Sequence, residues 1–257
     1  MVAHFRSVLD RLKGSGGPSR SGWIWEAGGP PVQAVVDSLR GKKALEVGGP
    51  SDALFATGAR IPIYPVLRSL DNVRFALDTA WTSDRQFRFD WGRRQGKLFI
   101  GELQQLSKVV PKSYEALISA DVLEHTANPL RGLREMLKVV LPGSPLFLVL
   151  PYYKRTFDHR RQPTPLEHLL EDERRDVGED DLTHLDEILQ CHDLSMDVPA
   201  GTLEQLRERS LHNAENRCLH HHVFDEANLA SVLSYLSLRP EFFQVEKDKM
   251  LLLIRRC

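Results

Sequence analysis

Residues 116–151, ALISADVLEHTANPLRGLREMLKVVLPGSPLFLVLP, contain two apolar runs separated by a segment in which leucine and valine recur at helical spacing. Asn128 is suited to cap this helix, Pro129 to take its first position, and Pro142-Gly143 to end it. The apolar runs, at 114–120 and 144–151, have the length of strands and are far shorter than a membrane span of roughly 20 residues. Strand, helix and strand in this order predict two parallel strands and hence an α/β fold.

The same alternation extends in both directions along the chain. Upstream, residues 32–39 have the spacing of an amphipathic helix, and the apolar strand predicted within 42–47 leads into a Gly-Gly-Pro-Ser turn. Further strands are predicted at RIPIYPV (60–66) and GKLFIGEL (96–103). Downstream, 224–238 has helical spacing, with Asp225 suited to cap the helix, and 242–256 predicts a C-terminal antiparallel hairpin. The predicted fold is therefore α/β with a mainly parallel sheet and this hairpin at its end.

The chain divides into an arm, a body and an insertion. Residues 1–29 include the flexible stretch GSGGPSRSG and predict an N-terminal arm or lid, whereas 30–257 predict one domain. Within that domain, residues 152–223 are rich in Asp, Glu, His and Arg, have little strand pattern and contain eight of the ten histidines. Two pieces of one sheet flank this segment. We therefore expect 152–223 to be an insertion, before the last helix, that covers a substrate.

Composition and charge argue against several classes of function. With 34 Lys and Arg against 35 Asp and Glu, the net charge of −1 offers no general attraction to nucleic acid or to an anionic membrane. The three cysteines form no CxxC pair, so neither a disulfide framework nor a thiolate zinc site is indicated. The N-terminal segment lacks the apolar core of a secretory signal. We expect a cytoplasmic protein whose partner is a small polar molecule.

The turn GGPS at 48–51 follows the first predicted strand, at the end where open parallel sheets bind their ligands. Gly48 and Gly49 allow the backbone to approach a ligand closely, and Glu46 and Ser51 add polar groups beside them. The turn is neither GxGxxG nor the lysine-bearing phosphate loop. From these residues alone, a tight strand-to-helix turn without a ligand stays the alternative.

Four successive segments resemble the motifs of class I S-adenosylmethionine-dependent methyltransferases. They are ALEVGGPS, SLDN at 69–72, FIGEL at 99–103 and the stretch 116–151, of which SADVLEHTANP is the most specific part. The resemblance covers about residues 41–151 and, more loosely, 222–256, and the insertion is similar to uncharacterised bacterial methyltransferase-domain proteins. It implies a Rossmann-like fold, S-adenosylmethionine as cofactor, and an enzyme that methylates a small molecule.

The resemblance also implies the residues at the cofactor. From the methionine part to the adenine they are Glu46, Gly48, Gly49, Ser51, Asp71, Gly101 and Glu102, with Ser119 and Ala120 lining the pocket at the end of the fourth strand. Among them, Asp71 is implied to accept hydrogen bonds from the ribose hydroxyls.

Methyl transfer needs positioning and, when the acceptor carries a proton, a base. The insertion repeatedly places histidine beside a carboxylate, which fixes the imidazole tautomer and raises its basicity. The candidate catalytic residues are His125, His159, His220 and His222, and the candidate acceptor-binding residues are Tyr152, Tyr153, Asp158 and His184. Packing near the cofactor is the alternative for His125, and covering the sulfonium is the alternative for the tyrosines.

Three consecutive histidines occur in RCLHHHVFD at 217–225, just before the last helix. In an extended segment, His220 and His222 face one way and His221 the other, so we expect only one face of the triplet to meet the acceptor. Histidine with aspartate also suits a metal site. The position beside the expected transfer site favours acid–base chemistry, and we assign no metal ligand from the sequence.

The leading hypothesis is a methyltransferase of glycan or secondary-metabolite biosynthesis. It acts on a hydroxyl, or with less support an amine or carbon, of a sugar or other small polar metabolite, and uses a histidine base. Two alternatives stay open: metal-assisted methylation by the His/Asp cluster, and a catalytically degenerate binding or scaffold protein of the same fold.

Overall fold

Strand β1 (Lys43–Val47) lies at the centre of the sheet in a computed structural model that describes residues 32–79 and 88–256. The arm predicted at 1–29 lies outside the described residues. The other strands are β2 (Ser69–Arg74), β3 (Arg88–Trp91), β4 (Arg94–Ile100), β5 (Ala116–Ala120), β6 (Leu146–Pro151), β7 (Leu238–Glu246) and β8 (Lys249–Arg256).

Helices flank the sheet. Within the described residues they are α1 (Val32–Leu39), α2 (Asp52–Phe55), α3 (Leu106–Val109), α4 (Pro129–Val139), α5 (Leu166–Arg175), α6 (Leu185–Cys191), α7 (Leu203–Leu211), α8 (Asn213–Asn216) and α9 (Glu226–Tyr235). None of these is long and apolar enough to cross a membrane.

The described strands form one sheet in the order β3-β4-β2-β1-β5-β6-β8-β7. The five strands β4, β2, β1, β5 and β6 pair in parallel, whereas β8 runs antiparallel to both β6 and β7. The predicted Rossmann-like sheet and its C-terminal hairpin are therefore confirmed. The sequence did not predict β3, which pairs antiparallel with β4 at the edge of the sheet.

Both faces of β1 are buried, as its nearly continuous apolar sequence requires. Leu45 and Val47 belong to a core shared with α4 and α9, whereas Ala44 packs on the opposite face with α1. Because helices cover both faces, the carboxyl ends of β1, β2, β4 and β5 remain as a common edge on which loops build a site.

Two helices begin as their sequences predict. The Asn128 side chain accepts a hydrogen bond from the Arg131 amide, and Pro129 takes the first position of α4. At α9, Asp225 and Asn228 each accept a hydrogen bond from the other's backbone amide. These caps fix where the chain leaves the ligand edge after β5 and where it re-enters the sheet after the insertion.

The strand predicted at 60–66 is wrong. This segment contains no strand and includes a 3-10 turn over Tyr64–Val66. Pro62 and Pro65 have no N–H group to donate, which an internal strand would need. The second parallel strand is β2 instead, and its Asp71 pairs in register with Leu45 in the middle of β1.

Between β6 and β7 the insertion is built from α5 to α8 and short 3-10 turns. It has a small core of its own, formed by Leu185, Ile188, Leu206 and Leu219 among others.

Candidate active site

A cavity of about 480 Å³ lies at the carboxyl ends of β1, β2, β4 and β5. Small-molecule sites in proteins typically measure about 300–1,000 Å³. Most of the residues that line this cavity belong to the loops that follow β1, β2, β4 and β5, and the insertion adds Glu179 and Arg217. This is the edge at which the sequence predicted a cofactor.

The turn after β1 forms one wall of this cavity because its glycines leave room. Gly48 and Gly49 both have positive φ, 82° and 72°. A Cβ on Gly48 would lie 2.6 Å from Val122 Cγ2, and one on Gly49 would lie 2.5 Å from the Glu46 carboxyl group. Ser51 lines the cavity at the end of the turn. Three of the predicted cofactor residues, Gly48, Gly49 and Ser51, are thus brought together.

Glu46 lies beneath the turn and is not among the residues that line the cavity. Its fully buried carboxylate accepts hydrogen bonds from the Tyr64 hydroxyl at 2.8 Å, the Ser51 amide at 3.1 Å and Asn72 Nδ2 at 3.2 Å. Burial raises the pKa of Glu46 to about 7, against the hydrogen bonds that lower it. The predicted contact with the cofactor is corrected accordingly: Glu46 holds the shape of the turn from below.

Asp71 lies away from the cavity, within β2. Its Oδ1 accepts a hydrogen bond from the Lys97 amide at 2.7 Å, and its Oδ2 accepts one from the Tyr114 hydroxyl at 2.8 Å. The expectation of a ribose contact fails because the second strand was predicted too early in the chain. At the true end of β2, Arg74 and Phe75 line the cavity instead.

Gly101, Glu102 and Ala120 line the cavity as expected, whereas Ser119 does not. The Ser119 hydroxyl is buried and donates a hydrogen bond to the Val47 carbonyl at 3.3 Å. Glu102 pairs with Arg217 of the insertion, with Nη2 and Oε1 2.6 Å apart. This ion pair links the body to the insertion beside the cavity.

A second cavity, of about 260 Å³, adjoins the first. Asp121, His125 and Lys249 line both cavities, and Lys249 Nζ donates hydrogen bonds to the two Asp121 carboxylate oxygens at 2.7 and 2.8 Å. The remaining walls come largely from the insertion and include Arg155, Thr156, Phe157, Met196 and His220. A shared wall between a cavity of the body and a cavity under the insertion suits two ligands that react with each other.

His220 is oriented at this second cavity by a buried carboxylate. Its Nδ1 lies 2.6 Å from Asp158 Oδ2, and both side chains are at least nine-tenths buried. Burial lowers the pKa of His220, but the Asp158 charge and hydrogen bond raise it by more, so the pKa lies above its ordinary value. Burial raises the pKa of Asp158, but His220 and Arg161 lower it by more, to about 2.

Arg161 determines the path of the histidine triplet. Its guanidinium, with a side chain only 1% exposed, donates to the His220 carbonyl at 2.8 Å, to the His221 carbonyl at 3.1 Å and to Asp158 Oδ1 at 3.2 Å. Side-chain hydrogen bonds of this kind replace the strand ladder that the alternation rule assumes. The expectation that His220 and His222 share one face is therefore wrong, since the two rings lie in separate clusters.

Two further groups meet His220 from the turn after β5. The His125 ring lies 4.4 Å from the His220 ring, and its Nδ1 donates to the Leu219 carbonyl at 3.1 Å. Burial, and then the neighbouring His220, lower the pKa of His125 well below its ordinary value, so this imidazole is neutral. Both Glu124 carboxylate oxygens are buried without a hydrogen-bond partner in the described chain, and burial raises the pKa of this group to about 8.

Four other acceptor-side candidates do not line either cavity. The Tyr152 and Tyr153 rings pack edge-on against each other at 6.3 Å, because the chain enters a 3-10 turn at Tyr153 and exposes Thr156 and Phe157 to the cavity instead. His159 Nδ1 lies 3.0 Å from the Thr156 carbonyl, and its Nε2 lies 3.6 Å from Asp193. Asp158 acts through His220 rather than at the cavity surface.

His184 and His222 also lie outside both cavities, in a cluster with His168 and Asp172. His222 is fully buried, and its Nε2 donates to the Ala127 carbonyl at 3.0 Å. Neither residue is positioned to meet an acceptor in the second cavity.

Sequence reasoning missed several charged residues that line the cavities, and four of them line the first: Asp121, Glu179, Arg217 and Lys249. Asp121 directly follows Ala120 at the end of β5, so its position carried a signal that was overlooked. Its φ of 54° is a conformation that non-glycine residues rarely adopt and that clusters at functional sites. The other three reach the site only through contacts distant in sequence, for which no local pattern exists.

Solved structures resemble this fold. A methyltransferase dependent on S-adenosylmethionine from Mesorhizobium loti has a TM-score of 0.50 at 12% identity and covers 88% of this chain and 96% of its own. Methyltransferases of the same description from Methanosarcina mazei (TM-score 0.46, 15% identity, 87% and 96% covered) and Aquifex aeolicus (0.45, 13%, 95% and 96%) are also similar. No protein-family model and no curated protein matches the chain. The chain has the class I S-adenosylmethionine-dependent methyltransferase fold.

Proposed function

We propose that this protein is an S-adenosylmethionine-dependent methyltransferase that methylates a hydroxyl of a sugar or other small polar metabolite. An amine or carbon acceptor has less support. The observation that carries the proposal is the His220–Asp158 pair, buried at a cavity that shares a wall with the ligand cavity of the methyltransferase fold. The free thiols of Cys191 and Cys218 are in keeping with a reducing compartment, and we assign the reaction to the cytoplasm.

The residues around the first cavity fit the cofactor. Gly48 and Gly49 leave a wall without side chains, so the backbone of the turn can contact the methionine part, together with Ser51. Gly101 and Glu102 are assigned to the adenine side, and Ala120 to the wall at the end of β5. When bound there, S-adenosylmethionine supplies a methyl group on a positively charged sulfur.

His220 is assigned as the general base. Because Nδ1 donates its proton to Asp158, the neutral ring carries its lone pair on Nε2. Nε2 takes the proton that an acceptor hydroxyl loses as it is methylated. Asp158 stabilises the imidazolium so formed, and Arg161 holds the His220 backbone carbonyl and the Asp158 carboxylate in place. A positioned base of this kind contributes about 10²–10⁴-fold to a rate.

The lining of the second cavity favours a hydroxylated acceptor. Arg155, Thr156 and Lys249 supply hydrogen-bond donors, whereas Phe157 and Met196 supply apolar surface for the face of a ring. Such a mixture matches the polar edge and apolar face of a sugar better than it matches an alkyl chain.

A second candidate function is metal-assisted methylation at the same cavity. One observation favours it: Glu124, His125 and His220 each offer a ligand atom within 4.8 Å of one another, and the Glu124 oxygens have no hydrogen-bond partner in the described chain. Oxygen and imidazole ligands suit a divalent cation that would polarise the acceptor hydroxyl. Full methyl-transfer activity after treatment with a chelator would exclude this candidate.

Calorimetry with the demethylated cofactor tests the proposed function first. We expect one molecule of demethylated cofactor to bind per chain, and S-adenosylmethionine to displace it. A complete absence of binding would overturn both enzymatic candidates and favour the binding or scaffold protein. A panel of hydroxylated and amino acceptors, assayed by release of demethylated cofactor, then tests the acceptor class. Turnover restricted to amines would contradict the hydroxyl assignment.

A further inference from the structure

A second group of histidines converges in the insertion, away from both cavities. His168 and Asp172 lie one turn apart on α5 and so share a face of this helix. His184 comes from the turn before α6, and His222 from the segment before α9. None of the four lines either cavity. Three segments distant in sequence therefore deliver three imidazoles and one carboxylate to a single point.

The donor atoms of the cluster lie close enough together to surround one ion. His168 Nε2 lies 3.0 Å from His184 Nε2 and 3.3 Å from Asp172 Oδ2, and one ligand atom from each of the four residues lies within 4.8 Å of the others. Zinc bonds to nitrogen and oxygen of about 2.0–2.1 Å in a tetrahedron place the ligand atoms about 3.3 Å apart. The 3.0 and 3.3 Å separations around His168 Nε2 are close to this value.

The hydrogen-bond inventory of the cluster is incomplete without a further partner. Asp172 Oδ2 is buried and has no hydrogen-bond partner in the described part of the chain, and the same holds for His222 Nδ1. His222 is wholly buried, and its other ring nitrogen donates to the Ala127 carbonyl. Metal-binding histidines commonly donate one N–H to a backbone carbonyl in this way, which fixes the tautomer and leaves a lone pair for the metal.

The exposure of the cluster also fits a bound ion. Three of the side chains are 12% exposed or less, whereas that of His168 is 38% exposed, which provides an access route from solvent. Buried polar atoms without a partner destabilise the fold, so the chain gains stability when a cation satisfies them.

We propose that His168, Asp172, His184 and His222 bind a divalent transition metal ion, preferentially zinc, and form a closed structural site. Imidazole suits zinc, and four protein ligands leave no position for a substrate. The ion would fasten α5, the turn before α6 and the segment that carries the triplet. His220, two residues before His222, is held in position in this way. The site is separate from the proposed methyl transfer and does not depend on it.

Metal analysis of the purified full-length protein tests this site. We expect one zinc ion per chain that survives dialysis against metal-free buffer. The variants Asp172→Asn and His168→Gln lose it. Two matched variants keep it: His212→Gln, which breaks the exposed His212–Glu208 pair at the same i, i+4 helical spacing, and His220→Gln, which alters the second-cavity cluster. Loss of zinc from His220→Gln with retention in Asp172→Asn would overturn the assignment.

A measurement on the unaltered protein tests the metal site even if the variants fail to fold. After extraction of the metal with dipicolinate, we expect the melting temperature to fall and to recover on addition of zinc alone, because ligand binding stabilises the folded state by mass action. Cobalt(II) in place of zinc should give the intense visible bands of a tetrahedral site without the sulfur-to-metal band of a thiolate. A protein that retains no zinc and whose melting temperature does not respond to zinc would overturn the proposal.

Discussion

The body and the insertion contribute to the candidate site in opposite ways. In the body, Gly48, Gly101 and Ala120 reach the cavity because each lies at or just beyond the end of a parallel strand. In the insertion, His220 reaches its cavity because it pairs with Asp158, 62 positions away in the chain, and because Arg161 holds the backbone of the triplet. The first kind of placement follows from the fold, and the second follows from individual long-range contacts.

The largest effect expected is on the insertion side of this comparison. His220→Gln removes the lone pair at Nε2 but keeps a polar side chain, so kcat should fall by about 10²–10⁴-fold. Affinity for the demethylated cofactor should change by less than about 2-fold, because that cavity belongs to the body. The matched variant is His159→Gln, a neighbouring insertion histidine that lines neither cavity. Equal losses in the two variants would contradict a specific role for His220.

The contribution of the body can be tested through Glu46, the buried carboxylate beneath the turn after β1. The pKa of Glu46 is raised from 4.5 to about 7, so its stabilising effect is fully present below pH 4.5 and is lost as pH rises through about 7. Glu46 alone should therefore account for a loss of up to about 3 kcal/mol of unfolding free energy over this interval, and Glu46→Gln should lose correspondingly less than the wild-type protein. Urea unfolding at pH 5 and pH 8 measures the difference.

Glu135 provides the control with the opposite sign. Burial raises the pKa of Glu135, but hydrogen bonds from Lys138 and Ser107 lower it by more, so the pKa lies below its ordinary value. Its contribution is therefore present above the unfolded pKa and is lost as pH falls, so Glu135→Gln should be more costly at pH 8 than under acidic conditions. The same pH dependence in both variants would contradict the environment assigned to Glu46.

A smaller effect is expected at the glycine turn. Gly48 and Gly58 have the same φ of 82°, but a Cβ at Gly48 would meet Val122, whereas nothing lies within 4 Å at Gly58. Gly48→Ala should therefore destabilise the fold by about 1–3 kcal/mol more than Gly58→Ala, and only Gly48→Ala should weaken cofactor binding. Thermal unfolding and calorimetry of both variants would check this. Indistinguishable variants would show that the turn tolerates a side chain.

The smallest expected effect is a shift in the pH dependence of kcat/KM, which depends on the pairing of His220 with Asp158. The charged and titratable groups facing His220 are Asp158, Arg161, Glu124, His125 and His192. Because the pKa of His220 is raised, kcat/KM should increase with pH along a limb above pH 6.5. Asp158→Asn removes the charge and should move this limb to lower pH by about one unit.

Asp193→Asn is the control for this shift. Asp193 faces His159 and Arg160 rather than His220, so the limb should stay where it is in the unaltered protein. An unmoved limb in Asp158→Asn would show that another group limits the reaction at low pH.

The sequence predicted the elements whose signal is local. The caps of α4 and α9, strands β1, β5 and β6, and the C-terminal hairpin all depend on residues within a few positions of each other. The second strand was misplaced because RIPIYPV is more apolar than SLDNVR, in which Asp71 and Asn72 are satisfied by side chains far along the chain. Asp71 was misassigned as a result.

The roles of the histidines could not be predicted in the same way. Periodicity assigns residues of a strand to two faces, but the triplet is held by Arg161 and does not form a strand. His220 and His222 consequently enter two clusters that no spacing rule separates. The composition of the insertion correctly indicated paired imidazole and carboxylate groups, and only the structure shows which pairs form.

A structure with the demethylated cofactor bound would show directly whether the cofactor and His220 share one reaction site. We expect the cofactor to occupy the cavity beside Gly48 and Gly49, with its sulfur facing the wall formed by Asp121, His125 and Lys249 and with space for an acceptor oxygen between the sulfur and His220 Nε2. A sulfur that faces away from the second cavity, or a cofactor bound in that second cavity, would contradict this expectation.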